Sequence, residues 1–126
     1  MNGDTNVLGG PLASCSTDPL TGWTRDGCCR TDANDRGSHT VCTQVTAEFL
    51  EFSVAQGNDL VTPVPAYSFP GLKPGDRWCL CASRWLDAHR VGKAPLVVLE
   101  STNAKALRVV PLEALLERAI SVAGSA

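Results

Sequence analysis

The stretch Thr40-Val41-Cys42-Thr43-Gln44-Val45, followed at once by Thr46-Ala47-Glu48-Phe49-Leu50-Glu51-Phe52, decides the fold class. Its first six residues alternate and are rich in β-branched side chains, which predicts a strand. Thr46 then suits a helix N-cap, Glu48 complements the helix dipole in the first turn, and Gly57 supplies a stop. A helix is predicted over residues 47–56, with Phe49, Leu50 and Phe52 on its buried face.

Downstream, residues 59–74 hold Pro63, Pro65, Pro70 and Pro74. Proline fixes φ and lacks a donor N–H, so this stretch is predicted to be an extended loop. Pro74-Gly75-Asp76 then predicts a second helix with Asp76 as N-cap. From Trp78, apolar residues recur at Cys81, Ala82, Trp85, Ala88 and His89, the spacing of a helical face, and Gly92 ends it. Leu96 to Leu99 reads as a buried strand, Asn103 as the cap of a short turn to Leu107, and Arg108-Val109-Val110 as a short strand. Pro111 opens a final helix over residues 112–120, with Leu112, Leu115, Leu116 and Ala119 on its apolar face. The first 40 residues are rich in Gly, Thr, Asp and Pro. They read as irregular, with a short strand near Asn6 to Leu8. The expected architecture is α+β: a small two-layer sandwich of a few-stranded sheet and about three helices. A long irregular N-terminal segment precedes it.

The chain has 126 residues, which fits a single domain spanning 1–126. Hydrophobic residues at 44% suffice for one core without obligatory disulfide staples. A formal net charge of -2 with no basic stripe argues against a nucleic-acid partner. No apolar run approaches the roughly 20 residues of a membrane span. Met1-Asn2-Gly3-Asp4-Thr5 has neither a cationic nor an apolar run, so no secretory leader is expected. The expected compartment is the cytoplasm. Disulfides are rare there, and cysteine clusters are more often free, metal-bound or catalytic.

Six cysteines carry the candidate chemistry. Cys28, Cys29, His39, Cys42, Cys79 and Cys81 are the candidate metal ligands, and zinc is the candidate cofactor. The spacing is not the usual pair with two to four residues between ligands, and adjacent cysteines point apart. If Cys79 and Cys81 lie on a helix they face different ways; on a strand they share a face. In the helix capped by Asp76, Cys79 would fall in the first turn, where backbone N–H groups favour a thiolate. Cys29 and Cys79 are therefore candidate nucleophiles, with His39 as a base oriented by Asp26 or Asp59. Arginines flank the cysteine motifs. Arg25, Arg30, Arg77 and Arg84, with Asp26 and Asp59, form the candidate ligand-binding set for a small anion. The competing expectation for any one cysteine is that of a small buried hydrophobe, above all for Cys81 between Trp78 and Trp85. Asp26, Asp32, Asn34 and Asp35 resemble a calcium loop in composition only, and solvated turn residues are the expectation there.

The strings Arg25-Asp26-Gly27-Cys28-Cys29, His39-Thr40-Val41-Cys42, Gly57-Asn58-Asp59-Leu60 and Phe69-Pro70-Gly71-Leu72-Lys73-Pro74-Gly75-Asp76-Arg77-Trp78-Cys79-Leu80-Cys81 belong together. With Glu48-Phe49-Leu50-Glu51-Phe52 between them, they resemble a mainly bacterial family, domain of unknown function 2237. The resemblance spans about Asn6 to Ala119 and implies a small stand-alone two-layer α/β domain. Its motif includes all six cysteines, and it brings no activity, substrate or cofactor.

Three functions from different classes are consistent with these residues. The first is a thiol-bearing module that binds a metal or a reactive ligand through its cysteines. The second is a small enzyme with a cysteine nucleophile and an arginine-lined anion pocket. The third is an interaction domain with structural cysteines, docking through Pro63 to Pro74.

Overall fold

The computed structural model describes residues 4–67 and 69–120. Strand β1 (Val41–Gln44) leads into helix α1 (Ala47–Ala55). Strand β2 (Arg77–Leu80) leads into helix α2 (Ala82–Arg90), and strand β3 (Leu96–Val97) precedes helix α3 (Leu112–Glu117). Short 3-10 turns occupy Pro65–Tyr67, Leu99–Ser101 and Ala104–Arg108. The three strands form one antiparallel sheet in the order β2-β1-β3.

The register explains how the domain layers. Val41 stands opposite Leu80, Cys42 opposite Cys79, and Thr43 opposite Trp78 and Val97. Because side chains alternate across a sheet, Val41, Leu80 and Val97 leave on one face. They join Val45, Phe49, Leu50, Trp85, Ala88, Ala114 and Leu115 in the main core against the three helices. Cys42 and Cys79 leave on the other face, where they meet Cys15, Cys29 and Val98 in a second, smaller core. The N-terminal segment covers that second face.

Local chemistry sets the element ends. The Thr46 hydroxyl accepts from the Phe49 N–H at 3.1 Å and caps α1, as its sequence predicts. Asn103 caps its 3-10 turn by accepting from the Lys105 N–H at 2.9 Å. Pro111 stands at the head of α3. Fully buried Trp85 anchors α2, its indole N–H donating to the Pro95 carbonyl.

Three predicted elements fall elsewhere. Residues 77–80 are strand, not the first turn of a helix, because they pair along β1 in full register. Asp76 closes the preceding turn instead, accepting from the Lys73 N–H. The helix begins five residues later with Cys81 as N-cap, and the apolar spacing of Ala82, Trp85 and Ala88 belongs to it alone. Arg108-Val109-Val110 is no strand: it closes a 3-10 turn, with Val110 buried. Near Asn6 there is an isolated bridge to Asn103 and no strand.

Residues 4–40 are turns and isolated bridges, yet they are tied down at many points. The buried Asn6 side chain accepts from the N–H groups of Leu8 and Gly10 and donates to the carbonyls of Pro11 and Glu100. Asn103 donates to the Cys29 carbonyl, and the Thr21 hydroxyl accepts from the Cys79 N–H. Side chains thus satisfy backbone groups that no sheet partner reaches. No described helix is long and apolar enough to cross a membrane.

Candidate functional site

Four cysteines converge on the sheet face away from the helices. Cys15 is bonded to Cys42 and Cys29 to Cys79, with S–S distances of 2.04 Å in both. All four are buried. The bridges lie side by side because Cys42 and Cys79 are register partners on neighbouring strands. The Sγ atoms of Cys15, Cys29 and Cys79 all lie within 4.8 Å of one another, a group of three thiolate donors close enough to hold a metal once the bridges are open. Cys28 and Cys81 are free thiols, partly exposed.

This arrangement redraws the expected ligand set. Cys29 and Cys79 belong to the close sulfur group and Cys42 to the buried cluster around it, while Cys28, Cys81 and His39 stand outside both. Cys15, which the spacing did not single out, is a full member. Cys79 does not lie at a helix N-terminus: it is buried mid-strand and bonded to Cys29, so neither is a free nucleophile as they stand.

A second constellation lies at the β2 edge of the sheet. Asp35, its carboxyl buried, faces His39 with Oδ1 2.6 Å from the ring Nδ1. Its other oxygen accepts from the His39 backbone N–H and the Thr31 hydroxyl. Burial alone would raise this carboxyl's pKa. The hydrogen bonds from His39 and Thr31, with the ring's charge, outweigh it and hold the group below the ordinary carboxylate value of 3.8. A carboxylate only accepts, so Nδ1 carries the proton, and Nε2 has no partner among the described residues. Asp35 is therefore the group that orients His39. Asp26 and Asp59, expected in that role, are engaged elsewhere. Asp26 binds the Thr24 hydroxyl, the Cys28 N–H and Arg30. Burial pushes its pKa up, but those partners leave it lowered overall. Asp59 accepts from the Val61 and Thr62 N–H groups, and bonds to Thr62 and Val61 lower its pKa.

His39 stacks on Trp23, with ring centroids 5.9 Å apart and planes 12° from parallel. The Arg25 guanidinium sits 5.4 Å over the Trp78 ring. These residues, with Gly22, Leu60 and Cys79, line a pocket of about 330 Å³. Arg25 holds a left-handed φ of 57°, uncommon for a residue with a side chain, and donates to the Leu20 carbonyl. Gly22, at φ 101°, permits the turn: a Cβ there would collide with the Cys28 carbonyl. On another side of the histidine, the Cys81 thiol donates to the Gly37 carbonyl at 2.8 Å. A Cβ at Gly37 would stand 3.0 Å from the Cys81 sulfur and 3.3 Å from His39 Cε1, so thiol and imidazole both border this glycine.

The four arginines do not share one pocket. Arg25 joins His39, Arg30 pairs with Asp26 at 3.0 Å, Arg77 is exposed at the start of β2, and Arg84 donates to the Gln56 carbonyl between α1 and α2. His89 stacks on Trp85 and meets Glu117 at 2.9 Å, far from the cysteines in role. Asp35 was hidden by its place among the turn acids. The available signal was its position four residues before His39.

Residues 5–119 match the model of a family described as an uncharacterized protein conserved in bacteria, domain of unknown function 2237. The chain belongs to that family. The matched span contains both disulfides, the Asp35–His39 pair and helices α1, α2 and α3. No curated protein matches the chain.

Proposed function

We propose that the four buried cysteines form a redox-convertible thiol centre that takes up a metal, zinc in the first instance, when its disulfides are reduced. The observation that carries this is the mutual approach of three sulfurs within 4.8 Å, with Cys42 bonded to one of them. Reduction of both bridges takes four electrons and four protons, from two equivalents of an external dithiol, which becomes a disulfide, or of a phosphine with water, which becomes the phosphine oxide. It leaves four thiols, Cys15, Cys29, Cys42 and Cys79, in one apolar chamber. Tetrahedral zinc at about 2.3 Å from each thiolate holds its sulfurs roughly 3.8 Å apart, so the sulfurs bonded at 2.04 Å must separate on reduction while Cys15, Cys29 and Cys79 already lie within 4.8 Å of one another. Metal uptake releases the thiol protons, and the bound ion offsets the cost of burying thiolates in an apolar site. In a reducing compartment such as the cytoplasm the thiol form prevails. Oxidation would expel the metal and close the two staples.

The test is anaerobic titration of the phosphine-reduced protein with cobalt(II) and then zinc(II), followed by native mass spectrometry. One cobalt per chain with the visible bands of a tetrahedral thiolate site, displaced by zinc, is the expected result. Absence of those bands, or their survival in Cys15→Ala plus Cys79→Ala, would sink the proposal. Native mass spectrometry of the reduced wild-type chain reads the same stoichiometry if that variant does not fold.

A further inference from the structure

The pocket at the β2 edge shares only Cys79 with the proposed metal centre; its other walls are mainly aromatic and cationic, and its chemistry needs no open bridge. Its volume of about 330 Å³ suits a small molecule of a dozen or so heavy atoms. Two indoles line it. Trp23 is in parallel stack with His39, and Trp78 lies beneath the Arg25 guanidinium while its ring packs tilted against Phe69, centroids 5.1 Å apart. Stacked aromatic walls favour a flat ligand. One permanent cation sits at the pocket, and Arg25 has no carboxylate partner among the described residues; Arg30, a few residues on, is paired with Asp26. The nearby acids are occupied: Asp35 holds His39, Asp32 accepts from the Trp23 indole N–H, and Asp26 holds Arg30. The Arg25 backbone is held in a left-handed conformation that most residues avoid, and the crowded Gly22 turn fixes that geometry. Such strain is commonest where a side chain must be delivered to one place.

We propose that this pocket binds a planar aromatic carboxylate, its ring stacked on the Trp23–His39 and Trp78 surfaces and its carboxylate on the Arg25 guanidinium. Arginine's planar fork matches a carboxylate bidentately, while its face remains on Trp78. The geometry assigns no covalent step. Asp35 fixes the imidazole plane and so the stacking surface, which makes it a positioning residue.

The test uses 4-fluorobenzoate as probe, observed by fluorine NMR, with amide and indole N–H shifts of the uniformly labelled, oxidised full chain. The expected result is saturable binding that shifts the indole N–H signals of Trp23 and Trp78 and leaves that of buried Trp85 in place. The neutral 4-fluorobenzamide and the non-planar cyclohexanecarboxylate should each bind at least tenfold more weakly. Arg25→Asn, a residue that tolerates left-handed backbone, should lower affinity for the benzoate tenfold or more and leave the amide unchanged. Equal binding of benzoate and benzamide would overturn the anion assignment, and equal binding of cyclohexanecarboxylate would overturn the planar one. Shifts confined to the apolar groove lined by Leu50, Val54 and Leu72, or no shift at all at about 10 mM probe, would overturn the site. The ligand panel on the wild-type chain decides the matter even if Arg25→Asn does not fold.

Discussion

Removing the Cys29–Cys79 bridge should remove much of the folded state's stability, by an amount the chain itself sets. The bridge spans 50 residues. Closing a loop of that length in the unfolded chain corresponds to about 4 kcal/mol at 25 °C on the chain-entropy account. Replacing both residues by alanine also leaves two sulfur-sized voids in a packed core, at about 1 kcal/mol each. The double variant Cys29→Ala, Cys79→Ala, made with Cys28→Ala to prevent re-pairing, should therefore lose about 6 kcal/mol against a Cys28→Ala reference. With a urea slope of about 1.5 kcal/mol/M, the midpoint should fall by about 4 M, read by the fluorescence of buried Trp85. Reduction of the reference with a phosphine leaves the sulfurs in place, so the voids do not form. A drop of less than about 0.7 M in the alanine variant, or about 1 kcal/mol, would refute the reasoning. It would mean that the bridge constrains little, or that the native hydrogen bonds alone hold the N-terminal segment on the sheet.

Other outcomes follow from single residues. Removing the Cys15–Cys42 bridge, which spans 27 residues, should cost less from loop closure than the longer one, about 3.5 kcal/mol, and the two losses should not add because residues 29–42 lie inside both loops; urea midpoints of the single and combined variants check this. Thr46→Ala removes the cap that satisfies the Phe49 N–H and should lower stability by about 1 kcal/mol in the same assay. Asp35 has a folded-state pKa below its ordinary value of 3.8, so the stability it contributes is present above that value and is lost as pH falls through the lowered one. Asp35→Asn should therefore be less stable than the wild type near neutral pH, with the gap narrowing as acid protonates the native carboxyl; thermal melts from pH 7 to pH 2 follow it. Gly22→Ala should lower stability, since its Cβ meets the Cys28 carbonyl and its φ is left-handed; a melt unchanged within 2 °C would contradict the crowding described.

Strand β1 and helix α1 were legible in the sequence because both are local. Alternation and a β-branched run mark the strand, and a threonine cap with an apolar face marks the helix. The Asn103 and Pro111 starts were legible for the same reason. Strand β2 was not. Trp78 stands at a helical offset from Cys81, Trp85 and His89, so a local pattern fits, while the strand identity of residues 77–80 comes from pairing with residues more than thirty positions earlier. The cysteine pairing was likewise non-local: nothing in the spacing says that Cys15 meets Cys42. The expectation that the cysteines avoid bridges rested on compartment, not on geometry. In the candidate pocket, His39 and Arg25 drew notice as residue types. Their meeting depends on a turn held by Gly22 and on Asp35, whose partner is only visible once the loop closes.

The two overlapping bridges also decide how the chain survives being cut. A break anywhere between residues 15 and 79 separates at least one bonded pair of cysteines, so the two pieces remain one covalent molecule. A nick in residues 30–41 is spanned by both bonds, and one in the exposed proline-rich loop by the longer bond alone. A single cut in the oxidised protein therefore releases nothing from this stretch, and the same nick becomes a severed fragment only after a reductant arrives. Chain integrity and thiol state are joined in one topology.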